Sequence, residues 1–208
     1  IYSAGRGKLT CWDRATLKEL WSLPIATEDS WAIAVTPDES RVAVSFATDH
    51  TVHVFDTAAK KEIFRTGNIQ NNPFLVQFST DGKRLFTLCQ YGALHSWDLA
   101  TGKPAVIDPG ERIMSGTVAD DGKLAVLGLW DGDVALVDLD AAKVTARLRG
   151  HHEYIDTVAI SPDGALAASG SNDKTIRVWD VKQKKLLNTL VGHTDRVFIL
   201  GFSPDGKT

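Results

Sequence analysis

A two-residue marker returns about every 42 residues along the whole chain, and it constrains the fold more than any other feature. In this marker an aromatic or aliphatic residue precedes an aspartate, at Trp12-Asp13, Phe55-Asp56, Trp97-Asp98, Val137-Asp138 and Trp179-Asp180. A turn-like tetrapeptide keeps the same period, at 36–39, 79–82, 119–122, 161–164 and 203–206. Two markers that hold their offset over the chain indicate one supersecondary unit repeated in series.

The repeat at residues 150–191 shows what one unit contains. Its runs of β-branched and apolar residues, at 154–160, 165–169, 175–179 and 186–190, are separated by short polar turns. The first turn, Ser161-Pro162-Asp163-Gly164, joins a proline that fixes φ to a glycine that can take positive φ. The pattern predicts a four-stranded antiparallel meander. Such a meander cannot bury both of its faces alone, so neighbouring units must cover them.

The same unit resembles the repeat of the tryptophan-aspartate (WD) β-propeller family. Gly150-His151, Ser169, Asp173 and Trp179-Asp180 follow that family's signature in order and spacing, and Gly192-His193 begins it again. The resemblance implies an all-β propeller of four-stranded antiparallel blades. It also implies that His151, Ser169, Asp173 and Trp179 form a buried hydrogen-bonded relay. That role agrees with the cost of burying His and Asp without partners.

The other repeats keep only parts of this signature. They retain Ser45 and Asp49 in the second repeat, Thr87 and Trp97 in the third, and Asp131 in the fourth. Ala26 falls at the histidine position of the second repeat, and Tyr91 at the aspartate position of the third. We therefore expect these repeats to depend on apolar packing rather than on the relay.

The markers also predict how the chain is divided. Residues 1–208 form one propeller segment, with a partial blade at 1–24, blades at about 25–66, 67–108, 109–149 and 150–191, and a partial blade at 192–208. The last partial blade is expected to hold one strand and a turn. Seven blades at this period need about 290 residues. The sequence favours part of a ring of seven or more blades, and a five-bladed ring closed by the two partial ends stays open.

Composition and charge narrow the classes of function. The net charge of -3 is spread through turns of mixed sign, so no basic stripe predicts nucleic-acid binding. No apolar run is long enough for membrane insertion by this segment. The compartment stays unknown, with the cytoplasm slightly favoured over the periplasm. The two cysteines, Cys11 and Cys89, lie in different repeats, and the histidines and Asp-rich turns lack metal-ligand spacing. We expect no cofactor, no metal and no catalytic residues.

The resemblance further implies where a partner would be held. In the family, partners contact residues three and five places after the inter-blade histidine and the residue before the relay aspartate. Carried over, the candidate contact residues are Trp31, Phe74, Arg112, Met114, Trp130, Tyr154, Asp156, Asn172, Arg196 and Phe198. Arg112, Trp130 and Tyr154 are favoured because each adjoins a polar turn. Trp31, Phe74 and Phe198 begin first strands, and packing between blades explains them equally well.

The sequence thus predicts a non-catalytic scaffold that binds a protein or peptide, or that docks another domain of a larger protein or complex. Its Asp-Leu-Ala-Thr-Gly-Lys and Ser-Pro-Asp-Gly hairpins are typical of bacterial members of the family. One alternative remains open, because residues 13–21 and 98–103 also resemble the blade ends of quinoprotein propellers. In that alternative, the propeller is associated with a redox cofactor or a haem domain in an electron-transfer enzyme.

Overall fold

The computed structural model describes residues 1–25 and 29–208, so the histidine position at Ala26 lies outside the described residues. Strands but no helices occur in the described residues, and each strand pairs with its neighbours in sequence to form five antiparallel sheets. This confirms the predicted all-β fold of blade-like sheets, while the number of blades in a ring stays a prediction. The chain divides into two compact units, Ile1–Cys89 with Trp97–Pro104 and Gln90–Ser96 with Ala105–Thr208.

The first sheet has three strands and the second has four. The first sheet contains β1 (Tyr2–Gly5), β2 (Lys8–Trp12) and β3 (Glu19–Pro24). The second contains β4 (Ser30–Val35), β5 (Arg41–Phe46), β6 (Thr51–Asp56) and β7 (Lys61–Arg65).

The remaining three sheets each have four strands in sequence order. The third contains β8 (Pro73–Phe78), β9 (Arg84–Cys89), β10 (Leu94–Asp98) and β11 (Pro104–Ile107). The fourth contains β12 (Ile113–Val118), β13 (Leu124–Leu129), β14 (Val134–Asp138) and β15 (Lys143–Leu148). The fifth contains β16 (Ile155–Ile160), β17 (Leu166–Ser171), β18 (Thr175–Asp180) and β19 (Lys185–Val191).

The aspartate of the two-residue marker closes the last hairpin of each sheet. Its Oδ1 atom accepts the backbone N–H three residues later, at 2.6–2.8 Å in all five sheets, from Thr16, Ala59, Thr101, Ala141 and Gln183. Such a side-chain bond satisfies a backbone donor that the hairpin turn would otherwise leave unpaired. The aspartate therefore recurs while the residue before it varies among Trp, Phe and Val.

The turn-like tetrapeptide requires a residue with positive φ. Gly82, Gly122, Gly164 and Gly206 take φ values of 66°, 66°, 71° and 68°, as predicted for this turn. In the second sheet Glu39 takes φ 57° at the same place, a conformation that costs more for a residue with a Cβ atom. The turn is thus kept by backbone geometry even where glycine is absent.

Apolar side chains between neighbouring sheets supply the core of each unit. Two buried clusters lie in the first unit, one of Leu9, Ile25, Val42, Val44, Phe46 and Phe55, and one of Ala43, Val52, Val54, Ile69, Val76, Phe78, Leu85, Cys89 and Trp97. A third lies in the second unit and contains Val126, Val134, Leu136, Leu148, Ile155, Val158, Ala167 and Trp179. Each cluster draws residues from more than one sheet, so the sheets bury faces that a single meander would expose.

Two glycines permit close approach between sheets in the second unit. A Cβ atom on Gly128 of β13 would lie 2.5 Å from Cγ2 of Ile155 and 2.5 Å from Oγ of Ser115. A Cβ atom on Gly170 of β17 would lie 2.7 Å from Cγ1 of Val197. All three distances are too short for heavy atoms that are not bonded, so the packing of the following segment depends on these glycines.

One expectation for the end of the chain is wrong. The last partial blade was expected to hold a strand and a turn, but no strand is formed in residues 192–208. The turn is present, with Gly206 N–H donating to the Ser203 carbonyl at 2.8 Å, while the segment before it makes one backbone bond from Val197 to Ser171 at 3.2 Å. A strand needs a ladder of such bonds, and no neighbouring strand of its own sheet lies among the described residues.

Replacement of Gly128 by Ala should destabilise the protein by about 1–3 kcal/mol, because the added methyl group must displace the fully buried Ile155. Gly67→Ala is the matched control, since a Cβ atom there meets nothing within 4 Å. Urea unfolding followed by tryptophan fluorescence measures both. Equal midpoints for the two variants would show that the packing on Gly128 is not tight.

Candidate functional site

A chain of hydrogen-bonded side chains links two strands of the fifth sheet, the turn between them and the segment before β16. His151 Nδ1 lies 2.8 Å from Oδ2 of Asp173, and His151 Nε2 lies 2.8 Å from Oγ of Ser169. The indole Nε1–H of Trp179 donates to the same Ser169 oxygen at 2.9 Å. The four residues named from the signature are therefore in contact, and Ser169 is fully buried between the His and Trp rings.

The partners fix the position of each proton in this relay. The indole can only donate and the carboxylate of Asp173 can only accept, so Ser169 accepts from Trp179 and His151 Nδ1 carries a proton toward Asp173. The Ser169 hydroxyl proton then goes to His151 Nε2. A neutral imidazole satisfies every group. Burial lowers the pKa of His151 against the opposing effect of Asp173, which favours this neutral form.

Asp173 joins the relay to the turn that follows β17. Burial raises the pKa of this carboxyl, but hydrogen bonds from Thr175 and His151 outweigh it and lower the pKa to about 2. The Thr175 hydroxyl donates to Oδ1 at 2.6 Å, and the backbone N–H of His152 donates to Oδ2 at 3.2 Å. Asp173 is thus an ionised hydrogen-bond acceptor that connects the segment before β16 to the turn before β18.

The second sheet holds a different buried network, which the sequence did not indicate. His53 of β6 is 1% exposed, with Nε2 at 2.9 Å from the Thr51 hydroxyl and Nδ1 at 3.1 Å from Oε2 of Glu62. Arg65 donates to both oxygens of Glu62 at 2.9 Å. This repeat was expected to depend on apolar packing rather than on the relay; its core is apolar, and a histidine of β6, away from the histidine position of the relay, adds polar contacts to it.

The third and fourth sheets keep smaller polar contacts in their cores and turns. In the third, Trp97 Nε1–H donates to the Thr87 hydroxyl at 3.2 Å, which is the Trp–Ser part of the relay without its histidine. In the fourth, Arg147 of β15 pairs with Asp131 and, at 3.0 Å, with Asp133. Here an arginine from the last strand replaces the histidine as the partner of the turn aspartate.

The three favoured contact residues come together on the surface of the second unit. Trp130 and Tyr154 stack with ring centroids 4.9 Å apart and planes 5° from parallel. The guanidinium of Arg112 lies over the Trp130 ring, 5.9 Å from its centroid. Backbone bonds from Trp130 to Arg112 at 3.0 Å, and from Asn172 to Tyr154 at 3.1 Å, hold the corresponding turns of the fourth and fifth sheets.

The same surface continues to both sides of this group. Arg112 also lies over the Tyr91 ring at 5.5 Å. On the other side, Arg196 donates from Nη1 to the Tyr154 hydroxyl at 3.1 Å and covers the Phe198 ring at 3.8 Å. We call these six residues, Tyr91, Arg112, Trp130, Tyr154, Arg196 and Phe198, the arginine–aromatic strip. All six belong to the second unit.

The other candidate contact residues occupy different places. Trp31 is 52% exposed on β4 of the first unit, and Phe74 of β8 is partly buried there. Met114 and Asn172 are half-buried in the second unit. Asp156 of β16 has one buried carboxylate oxygen without a hydrogen-bond partner, and burial raises the pKa of this carboxyl while Arg196 opposes the rise. None of these residues stacks in the strip.

Tyr91 is the member of the strip that was not among the candidate contact residues. Its signal in the sequence was the replacement of a turn aspartate by an aromatic residue, which removes a polar turn partner and adds an exposed ring. Tyr91 is 50% exposed and has φ 60°, an uncommon backbone conformation for a bulky residue.

Metal-ligand clusters and cysteine thiols are two kinds of reactive group that a functional site can contain. Within 1–25 and 29–208, no three His, Cys, Asp or Glu side chains come together as metal ligands. Cys11 and Cys89 are buried free thiols, and burial raises the pKa of Cys89 to about 12. A thiol with this pKa stays protonated at neutral pH and is a poor nucleophile.

The fold and the relay define a class: a repeat protein built of β-propeller blades. Residues 142–180 match the family model WD40, described as "WD domain, G-beta repeat". The match confirms the resemblance to the WD-repeat family, and it covers β15 of the fourth sheet with β16–β18 of the fifth. One sequence repeat therefore spans the last strand of one sheet and the first three of the next. No curated protein matches the chain.

Ser169→Ala should destabilise the protein by about 2–4 kcal/mol, because it leaves both His151 Nε2 and the Trp179 N–H unpaired in a buried place. Thr87→Val is the matched control, since it also removes one buried hydroxyl but breaks the single bond to Trp97. We expect a loss of about 1 kcal/mol there. Equal losses in urea unfolding would show that the relay is not coupled.

The stability of the wild type should fall as pH drops below about 6.5, the pKa of an unfolded histidine. Folded His151 has a lowered pKa, so the unfolded chain binds the proton more readily, and protonated His151 can no longer accept from Ser169. The charged groups that act on it are Asp173 and Arg177. Urea unfolding at several pH values should show a shallower dependence for His151→Gln than for the wild type. His53 and His95 are present in both proteins, so a difference between the two pH dependences comes from His151. The same pH dependence of stability in both proteins would contradict the role of His151 as a neutral acceptor.

Proposed function

We propose that this chain is a non-catalytic interaction scaffold whose arginine–aromatic strip binds a protein or peptide partner, or docks another domain of a larger protein or complex. Domains of the matched family typically bind proteins and are typically non-catalytic. The observation that carries the proposal is the stacked pair of Trp130 and Tyr154 with Arg112 over the indole ring.

The composition of the strip supports this function. Tyr, Trp and Arg are the residues most enriched among those that dominate binding energy at protein interfaces. Trp130 is 45% exposed and Phe198 is 53% exposed, so apolar ring surface remains available to a partner. Single exposed apolar residues are common on protein surfaces, but these exposed rings lie in one continuous strip, which is typical of an interaction site.

The rigidity of the strip supports it as well. Each ring or guanidinium contacts the next, so the side chains are ordered before a partner arrives. Binding then costs less side-chain entropy than it would for separate, mobile residues. An ordered surface of this kind binds a partner of complementary shape, as an interaction scaffold does.

No observation in the family match or in the geometry of the site favours the redox alternative. In the described part of the chain, no helix is long and apolar enough to cross a bilayer. The proposed partner is a protein or peptide, and the mixed-sign charge of the sequence disfavours a nucleic acid.

The triple replacement of Arg112, Trp130 and Tyr154 by Ala should lower partner capture at least about tenfold, because truncation of hot-spot residues costs about 2 kcal/mol or more each. The measurement is quantitative mass spectrometry of proteins retained from an extract of the source cells by immobilised wild type and variant. Circular dichroism and urea unfolding establish that the variant is folded.

A second triple variant, with Lys182, Lys185 and Leu187 replaced by Ala, controls for the loss of exposed surface elsewhere. These three residues are exposed on the last hairpin and last strand of the fifth sheet, outside the strip. Partner capture that falls equally in both variants, or in neither, would reject the strip as the binding surface.

A further inference from the structure

The two arginines of the strip lack the carboxylate partners that other arginines of this chain have. Arg147 pairs with Asp131 and Asp133, and Arg65 pairs with Glu62. In the described residues no carboxylate oxygen lies within 4.0 Å of the guanidinium of Arg112 or Arg196. Each is instead held against aromatic rings, so its positive charge is left without an ion pair.

The nearest acidic residues in sequence are engaged elsewhere. Oε1 of Glu111 accepts the backbone N–H of Arg112 at 2.8 Å, and Oδ1 of Asp195 accepts the backbone N–H of Arg196 at 2.8 Å. Both carboxylates therefore satisfy the main chain beside the arginine. Asp131, in the turn next to Trp130, is neutralised by Arg147. Among the described residues the strip keeps two cations without an ion pair within 4.0 Å, and the Asp156 carboxyl near Arg196 acts on it only at longer range.

The orientation of the guanidinium groups determines what they can bind. The guanidinium carbons lie over rings, 5.5 and 5.9 Å from the centroids for Arg112 and 3.8 Å for Arg196, and the N–H donors of a guanidinium all point along its plane. A planar carboxylate fits this edge with two parallel hydrogen bonds. Arg196 already uses one donor for Tyr154, which leaves its other N–H groups for such a ligand.

We propose that the arginine–aromatic strip recognises a short acidic–apolar peptide segment, in which Asp or Glu carboxylates pair with Arg112 and Arg196 while apolar side chains contact the exposed rings. The rings of Tyr91 and Phe198 are 50% and 53% exposed and supply the apolar surface at the two ends. Two isolated cations within a chain of net charge -3 match discrete carboxylates better than a polyanion. This inference rests on the proposed function and names the chemistry of its partner.

The test begins with selection from a display library of random short peptides on the immobilised wild-type protein. The expected peptides carry Asp or Glu beside aromatic or aliphatic residues. Synthetic peptides of the selected sequences are then titrated by fluorescence polarisation. Replacement of a peptide's acidic residues by Asn or Gln should weaken binding about tenfold or more, the usual effect of losing a charged hydrogen bond.

A double-mutant cycle locates the interaction on the two arginines. In the Arg112→Gln, Arg196→Gln protein the acidic peptide should bind about tenfold or more weakly, and neutralising the peptide should cause little further loss. The protein with Lys182→Gln and Lys185→Gln has the same net charge and should bind as the wild type does. Additive losses in the cycle would overturn the pairing.

The outcomes separate this inference from the proposed function. Selected peptides that lack acidic residues, but lose binding in the Arg112, Trp130 and Tyr154 triple-alanine variant, would overturn the acidic chemistry and leave the strip as a binding surface. Peptides that bind the triple-alanine variant as well as the wild type would contradict both proposals.

Discussion

Packing of one four-stranded sheet on the face of its neighbour is the interaction on which the rest of this structure depends. A single meander has two apolar faces and can protect neither from water. Within each unit the buried clusters draw on more than one sheet, and in the second unit Gly128 and Gly170 remove the side chains that would keep the neighbouring segments apart. This packing fixes the positions of the strands. The turns, the relay and the arginine–aromatic strip depend on it because their residues lie in the strands or at the strand ends.

Polar networks reinforce the packing, and three of the sheets form them with different residues. The fifth sheet has the complete His–Ser–Asp–Trp relay, the second uses His53 with Thr51 and Glu62, and the fourth uses Arg147. In each case the network joins strands or turns that are distant in sequence. A buried polar group without a partner costs free energy. A sheet that lacks one residue of the relay must therefore supply other partners for the remaining polar residues, or lack those residues too. The fold tolerates this variation because the apolar packing is kept throughout.

The arginine–aromatic strip follows from the same repetition. Arg112 and Tyr154 directly precede β12 and β16, and Arg196 lies at the corresponding position of the next repeat. Large side chains at those positions therefore meet one another across sheets rather than pointing into solvent alone. Stacking orders them, and an ordered surface of rings and unpaired cations is suited to binding a partner of complementary charge.

The sequence by itself determined the repeat, the all-β class, the turns and the members of the relay, because each depends on local geometry or on residues at fixed spacing. The period placed Asp180 and its equivalents in hairpins, where the bond to a backbone N–H is local. Only the tertiary structure decided which residues meet across strands and between turns. It brought His53 and Glu62 together, since their pairing depends on the register of β6 and β7, and it placed Tyr91 beside Arg112, since that contact joins different turns. It also left residues 192–208 without the expected strand, because a strand exists only where another chain segment completes its hydrogen bonds.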